Sequence, residues 1–436
     1  MKKIAAIIFM IITLLCSCDN KNYASSKLGF DGYIPDGEYP GLLSKEKPGS
    51  KQMKERTSEI INYGIVKGIW ISYGDLNLKD MNEKTYKRYV DKMMNNISSF
   101  GLNTVFFHTR PFGDSMYESE YFPSSHLITG TQGEKADFDP LKIAADSAHK
   151  YKLSFHAWIN PMRIMLDLGG STLPEKLSRD NPAYKWLNDG IKENDNFVLQ
   201  SGKSLYYNIG CDEVVDLIAD GVEECAAEYG VDGIHFDDYF YPEDDENCDK
   251  DTFERYIVEG GVLDLKSFRR QRVNMLLREC RGRVKKTDTR LKFGVSPSGN
   301  IGYNYDSICA DCESWIEDRI VDYIIPQIYY GFENETKPFG KTLQSWKDMT
   351  KSSDIPLIVG IAGYKTGETD EYALSGKEEW LCNSDILSRQ AEIILRDKSC
   401  SGLCIFDYDA LFAETGSDIR KNERSGLKKK LSQICA

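Results

Sequence analysis

The sequence is poor in the features that mark three common classes of protein. Positive charge is in the minority, because 55 Lys and Arg face 68 Asp and Glu and leave a formal net charge of −13, which disfavours nucleic acid or anionic lipid as a partner. No Gly-rich loop opens any of the expected helices, which disfavours a dinucleotide- or phosphate-binding sheet. No apolar run is long enough for a permanent transmembrane helix.

Metal ligands are also scarce in the spacings that metal sites use. The five histidines never lie four residues apart. Cys309 and Cys312 are spaced as CxxC, but no second CxxC completes a set of four ligands. We therefore expect neither a metal nor any other cofactor.

The N-terminus has the pattern of an exported lipoprotein. Lys2 and Lys3 precede an apolar run over residues 4–15 that suits a signal peptide. The run ends in Leu15-Cys16-Ser17-Cys18, which resembles a bacterial lipobox, so Cys18 is expected to be lipidated after cleavage. Residues 1–17 are then the signal peptide, and residues 18–60 form a flexible tether that reaches about 35 Å. We expect the protein in the cell envelope, lipid-anchored to a bacterial membrane, the outer one in a Gram-negative cell. Disulfides are plausible in that compartment, although the spacing of the cysteines does not reveal their pairing.

From about residue 61 onward, short apolar runs alternate with longer amphipathic ones. The expected strands are 65–72, 104–109, 154–159, 233–237, 292–296, 323–328, 357–361 and 402–406. The expected helices lie near 83–100, 139–151, 212–229, 262–283, 306–319, 340–350, 382–397 and 420–434. Eight such units predict an α/β fold, a (β/α)8 TIM-type barrel over residues 61–436 with long loops on the C-terminal face of its strands. An open doubly wound sheet is the alternative.

The ends of the expected strands carry polar and aromatic side chains, and in such a barrel these ends form the active face. In chain order they are Trp70, His108, Arg110, His156, Trp158, Asn160, Arg163, His235, Asp237, Asp238, Ser296, Gln327, Tyr329, Tyr364 and Asp407. The adjacent Asp237 and Asp238 follow a buried strand and precede three aromatic residues, the first of them Tyr239. Because a carboxylate is costly to bury, this pair indicates either catalysis or a turn that caps the strand.

Paired carboxylates are the usual means of glycoside hydrolysis, in which one protonates the leaving oxygen and the other attacks or stabilises the anomeric carbon. Alternate strand residues face the same side, so Asp237 shares a side with His235 and is the first choice for a carboxylate in the pocket, with Asp238 second. Like charges this close push their titrations apart. The second catalytic group is Asp407, Glu243 or, in a substrate-assisted reaction, the acetamido oxygen of an N-acetylated sugar.

Six segments in a fixed order carry a resemblance to a known family. They are Lys67-Gly-Ile-Trp-Ile-Ser72, Asn103-Thr-Val-Phe-Phe-His-Thr-Arg-Pro-Phe-Gly-Asp-Ser115, His156-Ala-Trp-Ile-Asn-Pro-Met-Arg163, Asp232-Gly-Ile-His-Phe-Asp-Asp-Tyr239, Gly294-Val-Ser-Pro297 and Asp322-Tyr-Ile-Ile-Pro-Gln-Ile-Tyr329. Over roughly residues 61–410 the chain resembles the glycosyl-hydrolase-like 10 family of exported bacterial proteins. The resemblance implies a (β/α)8 fold and glycoside hydrolysis, and some members resemble enzymes that cut peptidoglycan glycan strands lacking stem peptides.

The segment that begins at Asp232 is also similar to the acidic strand of glycoside hydrolase family 18, which uses the acetamido oxygen of its substrate. Gln327 and Tyr329 would then hold the acetamido group, while Tyr239 stands where that family places its acidic Glu. Further substrate contacts are expected from Arg110, Asn160 and Arg163, which suit hydroxyl, acetamido or carboxyl groups. Trp70 and Trp158 are expected to be platforms for sugar rings, with a role in the core as the alternative.

The expected function is thus hydrolysis of a bacterial cell-wall or related amino-sugar polysaccharide, and the expected partners are that polysaccharide and, through the anchor, a membrane. One alternative is a surface lipoprotein that binds glycan without cutting it. The other is a metal-dependent carbohydrate deacetylase with His108, His156 and Asp237 as ligands.

Overall fold

A computed structural model describes residues 59–76, 78–79, 81–166, 177–238, 240–242, 245–413 and 417–433. The predicted signal peptide, the lipidation site Cys18 and nearly all of the tether lie outside these residues. So do two of the predicted site residues, Tyr239 and Glu243.

The central element is a parallel sheet of eight strands that curls into a barrel. Its strands are β1 (Val66–Ile71), β2 (Thr104–Arg110), β3 (Ser154–Ile159), β7 (Gly233–Phe236), β8 (Lys292–Val295), β9 (Tyr323–Ile324), β10 (Ile358–Ala362) and β11 (Gly402–Phe406). The order is β10-β11-β1-β2-β3-β7-β8-β9, so the first strand pairs with the last. Bridges from Ile324 to Leu357 and from Gln327 to Gly360 join the two ends of the sheet. The predicted (β/α)8 fold is therefore confirmed.

Helices connect the strands on the outside of the barrel. They are α1 (Glu83–Phe100), α2 (His126–Thr129), α3 (Pro140–Lys150), α4 (Pro182–Asn188), α5 (Lys192–Asp195), α6 (Asp212–Glu228), α7 (Lys250–Val258), α8 (Leu265–Thr287), α9 (Ile301–Asp306), α10 (Cys312–Glu317), α11 (Phe339–Thr350), α12 (Glu379–Cys382), α13 (Ile386–Arg396), α14 (Tyr408–Phe412) and α15 (Asp418–Gln433). A long insert after β3 carries α4, α5 and a small antiparallel sheet of β4 (Arg163–Met165), β5 (Val198–Ser201) and β6 (Ser204–Tyr207).

Three predicted elements differ from those observed. The sixth barrel strand ends at Ile324 rather than at residue 328, because Pro326 has no N–H for the ladder, although its carbonyl accepts a bond from Gly360 N (2.9 Å). The predicted helix 306–319 is observed only as α10, because the chain turns at Cys309, which has a φ of 57°, after α9 has ended at Asp306. The predicted helix 382–397 starts later, as α13 at Ile386, because α12 ends at Cys382.

Large side chains fill the inside of the barrel. Trp70, Phe106, Trp158, Tyr323, Ile325, Ile358 and Cys404 form one buried cluster. Glycines on neighbouring strands make room for it, since a Cβ at Gly294 would lie 2.2 Å from the ring of Tyr323 and a Cβ at Gly233 would lie 2.6 Å from Nδ1 of His156. The interior is thus a packed core rather than a pore.

The nine cysteines of the described residues are all free thiols, so the disulfides considered from the sequence do not occur among them. Within the same residues, every helix is too short or too polar to cross a bilayer.

Candidate active site at the carboxyl ends of the strands

The two adjacent carboxylates after β7 lie at different depths. The strand ends at Phe236, and Asp237 continues its inward direction, where Oδ2 accepts a hydrogen bond from Trp158 Nε1 (3.1 Å). Only 2% of Asp237 is exposed, whereas Asp238 is half-buried. Asp238 reaches the open face because the chain has already left the strand. Asp237 therefore points into the barrel, as predicted, but Asp238 is the more exposed of the two carboxylates.

Burial raises the pKa of Asp238 to about 6, while a hydrogen bond from Gln327 and the charge of Arg163 oppose that rise. Nε2 of Gln327 also donates to the backbone oxygen of Ser296 (2.9 Å), which fixes the amide beside the carboxylate. Asp238 thus combines a raised pKa with two groups that stabilise its ionised form.

Asp407 occupies the opposite side of the barrel, directly after β11. It is the N-cap of α14, and its Oδ1 accepts a hydrogen bond from Ala410 N (3.1 Å). Burial raises its pKa to about 6; the bond from Ala410 opposes the rise, and the negative charge of Asp409 adds to it. Asp407 is half-buried, so this carboxyl also faces the open end.

The ring of Tyr329 is half-buried at the same end of the barrel. Burial raises the pKa of its hydroxyl most, and the charges of Tyr364, Cys404, Asp238 and Asp407, in that order, raise it further. The ring contacts Tyr364 edge-on at 5.8 Å between centroids and lies 5.9 Å from the ring of Phe406. Three half-buried aromatic residues thus stand beside the carboxyls.

Hydrogen-bonded polar residues lie on the side of the site formed by β2 and β3. Tyr73 N donates to Nδ1 of His108 (3.4 Å), so Nε2 of that ring carries the proton and donates to Asn160 Oδ1 (2.8 Å). Burial lowers the pKa of His108, and the charge of Arg163 lowers it further. The imidazole is therefore neutral, and its role is to orient the Asn160 amide. The ring also stacks on Trp158 with centroids 3.7 Å apart.

Three residues predicted to contact substrate belong instead to the barrel core. Trp70 is 1% exposed and donates from Nε1 to Nε2 of His235 (3.2 Å), so it is not a platform for a sugar ring. Tyr323 OH lies 3.2 Å from Nδ1 of His235 and 2.9 Å from Nδ1 of His156. Burial lowers the pKa of His235, and lowers that of His156 to about 4, so both stay neutral. The prediction that these three residues contact substrate failed because alternation along a strand gives the direction of a side chain. It does not give how far the side chain lies below the end of the strand.

Two further residues predicted to contact substrate, Arg110 and Ser296, are also turned away from the site or enclosed in the core. Arg110 is fully buried outside the barrel, 4.1 Å from the ring of Phe122 and against Gly221 of α6, because the register shifts between His108 and Arg110. Ser296 is buried, with its Oγ 3.0 Å from Nε2 of His235. Trp158 is 5% exposed and forms the floor of the site rather than a platform.

Phe406, which contacts Tyr329 and Tyr364, and Asp75, in the loop after β1, were not among the residues predicted from the sequence. Burial raises the pKa of Asp75, and Asp407 and Asp409 raise it further. The available signal was an Asp in the loop that follows a barrel strand, since β1 ends at Ile71.

No group of three His, Cys, Asp or Glu side chains in the described ranges is arranged to hold a metal ion. The three ligands considered for a deacetylase have other partners: His108 bonds Asn160, His156 bonds Tyr323 and Asp237 bonds Trp158.

A parallel (β/α)8 barrel with carboxyls and aromatic rings at the ends of its strands defines a TIM-barrel protein of the glycosidase type. The chain belongs to the Glycosyl hydrolase-like 10 family, whose model matches residues 65–375.

Two curated relatives carry glycosyl hydrolase names. The chain is 31% identical to the glycosyl hydrolase YngK of Bacillus subtilis over 352 residues, which are 76% of this chain and 66% of that protein. It is 29% identical to the glycosyl hydrolase DigH of Escherichia coli K12 over 431 residues, 93% of this chain and 92% of that one. The match thus spans just under two thirds of YngK and nearly all of DigH.

Solved structures share the fold at low identity. An endo-1,4-beta-mannanase from Rhizomucor miehei superposes with a TM-score of 0.50 at 10% identity, over 85% of this chain and 95% of that one. The catalytic domain of a beta-amylase from Paenibacillus polymyxa gives a TM-score of 0.50 at 10% identity, over 85% of this chain and 99% of that one. These likenesses establish the barrel architecture.

Proposed function

We propose that the protein is a glycoside hydrolase that cuts a bacterial cell-wall or related amino-sugar polysaccharide with Asp238 and Asp407 as its pair of carboxyls. The observation that carries the proposal is that two half-buried carboxyls, Asp238 and Asp407, follow β7 and β11 on opposite sides of the barrel, at the carboxyl end of its strands. Two carboxyls that flank one open space are what hydrolysis of a glycosidic bond requires.

The surroundings of the two carboxyls assign them different roles. Asp238 has a cation, Arg163, and an amide donor, Gln327, that stabilise its ionised form, so it is the nucleophile or base. Asp407 has the negative charge of Asp409 as a neighbour, so it holds its proton and is the general acid. Asp237 holds the floor of the site through Trp158.

Asn160 and Arg163 are only 1% and 3% exposed, but Nδ2 of Asn160 is a buried donor with no hydrogen-bond partner among the described residues, which supports an amino sugar as the group that reaches it. A fixed amide and a guanidinium can bind an acetamido oxygen or the lactyl carboxylate of muramic acid. The rings of Tyr329, Tyr364 and Phe406 offer apolar faces for the sugar itself.

The test is cleavage of purified glycans by three variants, with products measured by mass spectrometry on intact and denuded peptidoglycan. We expect Asp238→Asn and Asp407→Asn each to lower kcat at least about 100-fold, because each removes one proton-transfer or charge-stabilising group. Asp318→Asn, which changes an exposed carboxylate paired with Arg278, is the control and should match the wild type. Absence of cleavage in every glycan by the wild type would reject the proposal, and release of acetate without chain cleavage, lost on chelation, would favour the deacetylase.

We further propose that the protein is exported and anchored through a lipid on Cys18, on the pattern of residues 4–18. In cells grown with a labelled fatty acid, the label should be incorporated into the wild-type protein and not into Cys18→Ala. Equal labelling of both proteins, or of neither, would contradict the anchor.

A further inference from the structure

A groove with a volume of about 300 Å³ lies between the end of α1 and the helix α15, on the outside of the barrel. Lys421, Arg424, Ser425 and Lys428 of α15 line one side of it, and Phe100, the last residue of α1, lines the other. Residues three, four and seven positions apart share one face of a helix, with about 5–6 Å between neighbouring Cβ atoms. Three cations and a hydroxyl group therefore line a single groove.

Two other cations of α15, which do not line the groove, have carboxylate partners. Nη2 of Arg420 lies 2.8 Å from Oε1 of Glu368, and Lys430 pairs with Glu392 of α13. In a chain with 68 Asp and Glu against 55 Lys and Arg, acidic partners for surface cations are plentiful. The cations in the groove are therefore the exception on this helix.

Arg424 and Lys428 lie over aromatic rings instead of carboxylates. Cζ of Arg424 is 5.1 Å from the centroid of the Phe412 ring, and Nζ of Lys428 is 6.0 Å from that of Phe100. The two rings meet edge to face with centroids 5.5 Å apart. A cation over a ring keeps its charge and its N–H donors for a further ligand. Within the described residues, neither cation forms an ion pair.

The acidic groups of the same helix leave the groove positively charged. Asp418 pairs with Lys421 at 3.2 Å, but both side chains are largely exposed and such a pair is weak. Glu423 is buried on another face of α15, where it accepts hydrogen bonds from Ser388. The two cations over the rings are four residues apart, a spacing at which like charges repel on a helix. A bound anion would offset this repulsion.

We propose that the groove binds a phosphate group through Arg424 and Lys428, with the hydroxyl of Ser425 as a further donor. A guanidinium presents a fork of N–H donors that matches the oxygens of a phosphate, and an ammonium adds a compact charge beside it. The ligand is either free phosphate or the phosphate of an anionic phospholipid headgroup, since the groove recognises the group that both share. The site is separate from the carboxyls at the ends of the strands and does not depend on the proposed hydrolysis.

The experiment is isothermal titration calorimetry of the full-length protein at low salt in a non-ionic detergent. The probes are inorganic phosphate and glycerophosphoglycerol, which is the headgroup of phosphatidylglycerol without its acyl chains. We expect saturable binding of at least one of them, weakened by added NaCl. The tighter of the two identifies the source of the phosphate. Absence of saturable binding by both probes, or equally tight binding of the zwitterionic glycerophosphocholine, would overturn the proposal.

The variant Arg424→Glu with Lys428→Glu should weaken binding of the anionic probe at least about tenfold, because two attractive charges become repulsive. Its matched control is Arg278→Glu with Arg319→Glu, which changes the net charge equally at two exposed cations outside the groove. The control should bind within about twofold of the wild type. Equal losses in both variants would mean that the charge of the whole protein governs binding, and would overturn the site.

A neutral variant, Arg424→Gln with Lys428→Gln, covers the case in which the double Glu variant does not fold. Both side chains are exposed, so the melting temperature of the neutral variant should stay near that of the wild type. Its affinity for the anionic probe should again fall at least about tenfold, since the two charged donors are lost. Wild-type affinity in a neutral variant that melts normally would show that other residues bind the anion, and would overturn the assignment.

Discussion

Asp407 and Asp238 are unfavourable to the folded protein when they are ionised. Burial raises the pKa of each to about 6, whereas Asp in an unfolded chain titrates near 3.9. For a carboxyl whose folded pKa is raised, the stabilising contribution is present at low pH and is lost as the pH rises through about 6. We expect Asp407→Asn, which keeps an acceptor at the N-cap, to raise the melting temperature at pH 7.5 and to change it little at pH 4.5. Circular dichroism at the two pH values measures this difference.

Asp397 provides a control of opposite sign. A hydrogen bond from Lys347, together with those of Ser399, lowers the pKa of Asp397 to about 2. Its contribution to stability is therefore present above the unfolded pKa and is lost as the pH falls through about 2. Asp397→Asn should lower the melting temperature at pH 7.5. If Asp397→Asn raised it, as Asp407→Asn is expected to do, the explanation of both effects by the pKa of the folded protein would be wrong.

The position of Trp70 in the core gives a second prediction for a single residue. Phe at this position leaves a cavity and removes the indole donor to His235. We expect Trp70→Phe to lower the free energy of unfolding by about 1–3 kcal/mol, measured by urea denaturation. KM for glycan should stay unchanged, because the ring does not reach the site. A raised KM with unchanged stability would instead show that Trp70 is a platform for a sugar ring.

At the scale of the element, the sequence predicts the strands well and the depth of their side chains poorly. The bounds of β3 and β11 agree to the residue, because apolar runs with Gly or polar residues at their ends mark buried parallel strands. The position after a strand end therefore indicates Asp238, Gln327, Tyr329 and Asp407 as candidates. It could not separate them from His235, because the tilt of a strand and the size of its neighbours set how far each side chain lies below the rim.

The pairing of β1 with β11 depends on one glycine at the start of the last strand. Gly402 has a φ of 137°, and a Cβ there would lie 1.9 Å from the backbone oxygen of Val66 in β1. We expect Gly402→Ala to cost at least about 3 kcal/mol of stability or to prevent folding, because the clash is with backbone that cannot move without breaking the ladder. Thermal unfolding followed by circular dichroism measures the loss.

Gly282 is the matched control, since it lies inside α8 and nothing stands within 4 Å of its missing Cβ. Gly282→Ala should stabilise the protein by about 0.5–1 kcal/mol through the lower flexibility of the unfolded chain. If the two substitutions had equal effects, the clash with Val66 would not be the cause.

For the whole molecule, the family match and the structure end at different places. The match covers residues 65–375, but the barrel closes through β11, which pairs with β1 on one side and β10 on the other. The last helices, α13 and α15, contact each other behind this strand, with Leu427 and Leu431 buried. The segment outside the match thus supplies a strand of the barrel and Asp407.

A chain of residues 59–375 is therefore expected not to fold. Its β1 and β10 would each expose an unpaired edge, and the apolar face that α13 and α15 cover would be open to water. A chain of residues 59–433 should melt in one cooperative transition like the full-length protein, because it contains every strand of the barrel. Solubility and near-ultraviolet circular dichroism of the two chains show whether each one folds. A cooperative transition in residues 59–375 would mean that seven strands make a stable sheet, and that β11 and Asp407 belong to an appendage rather than to the barrel.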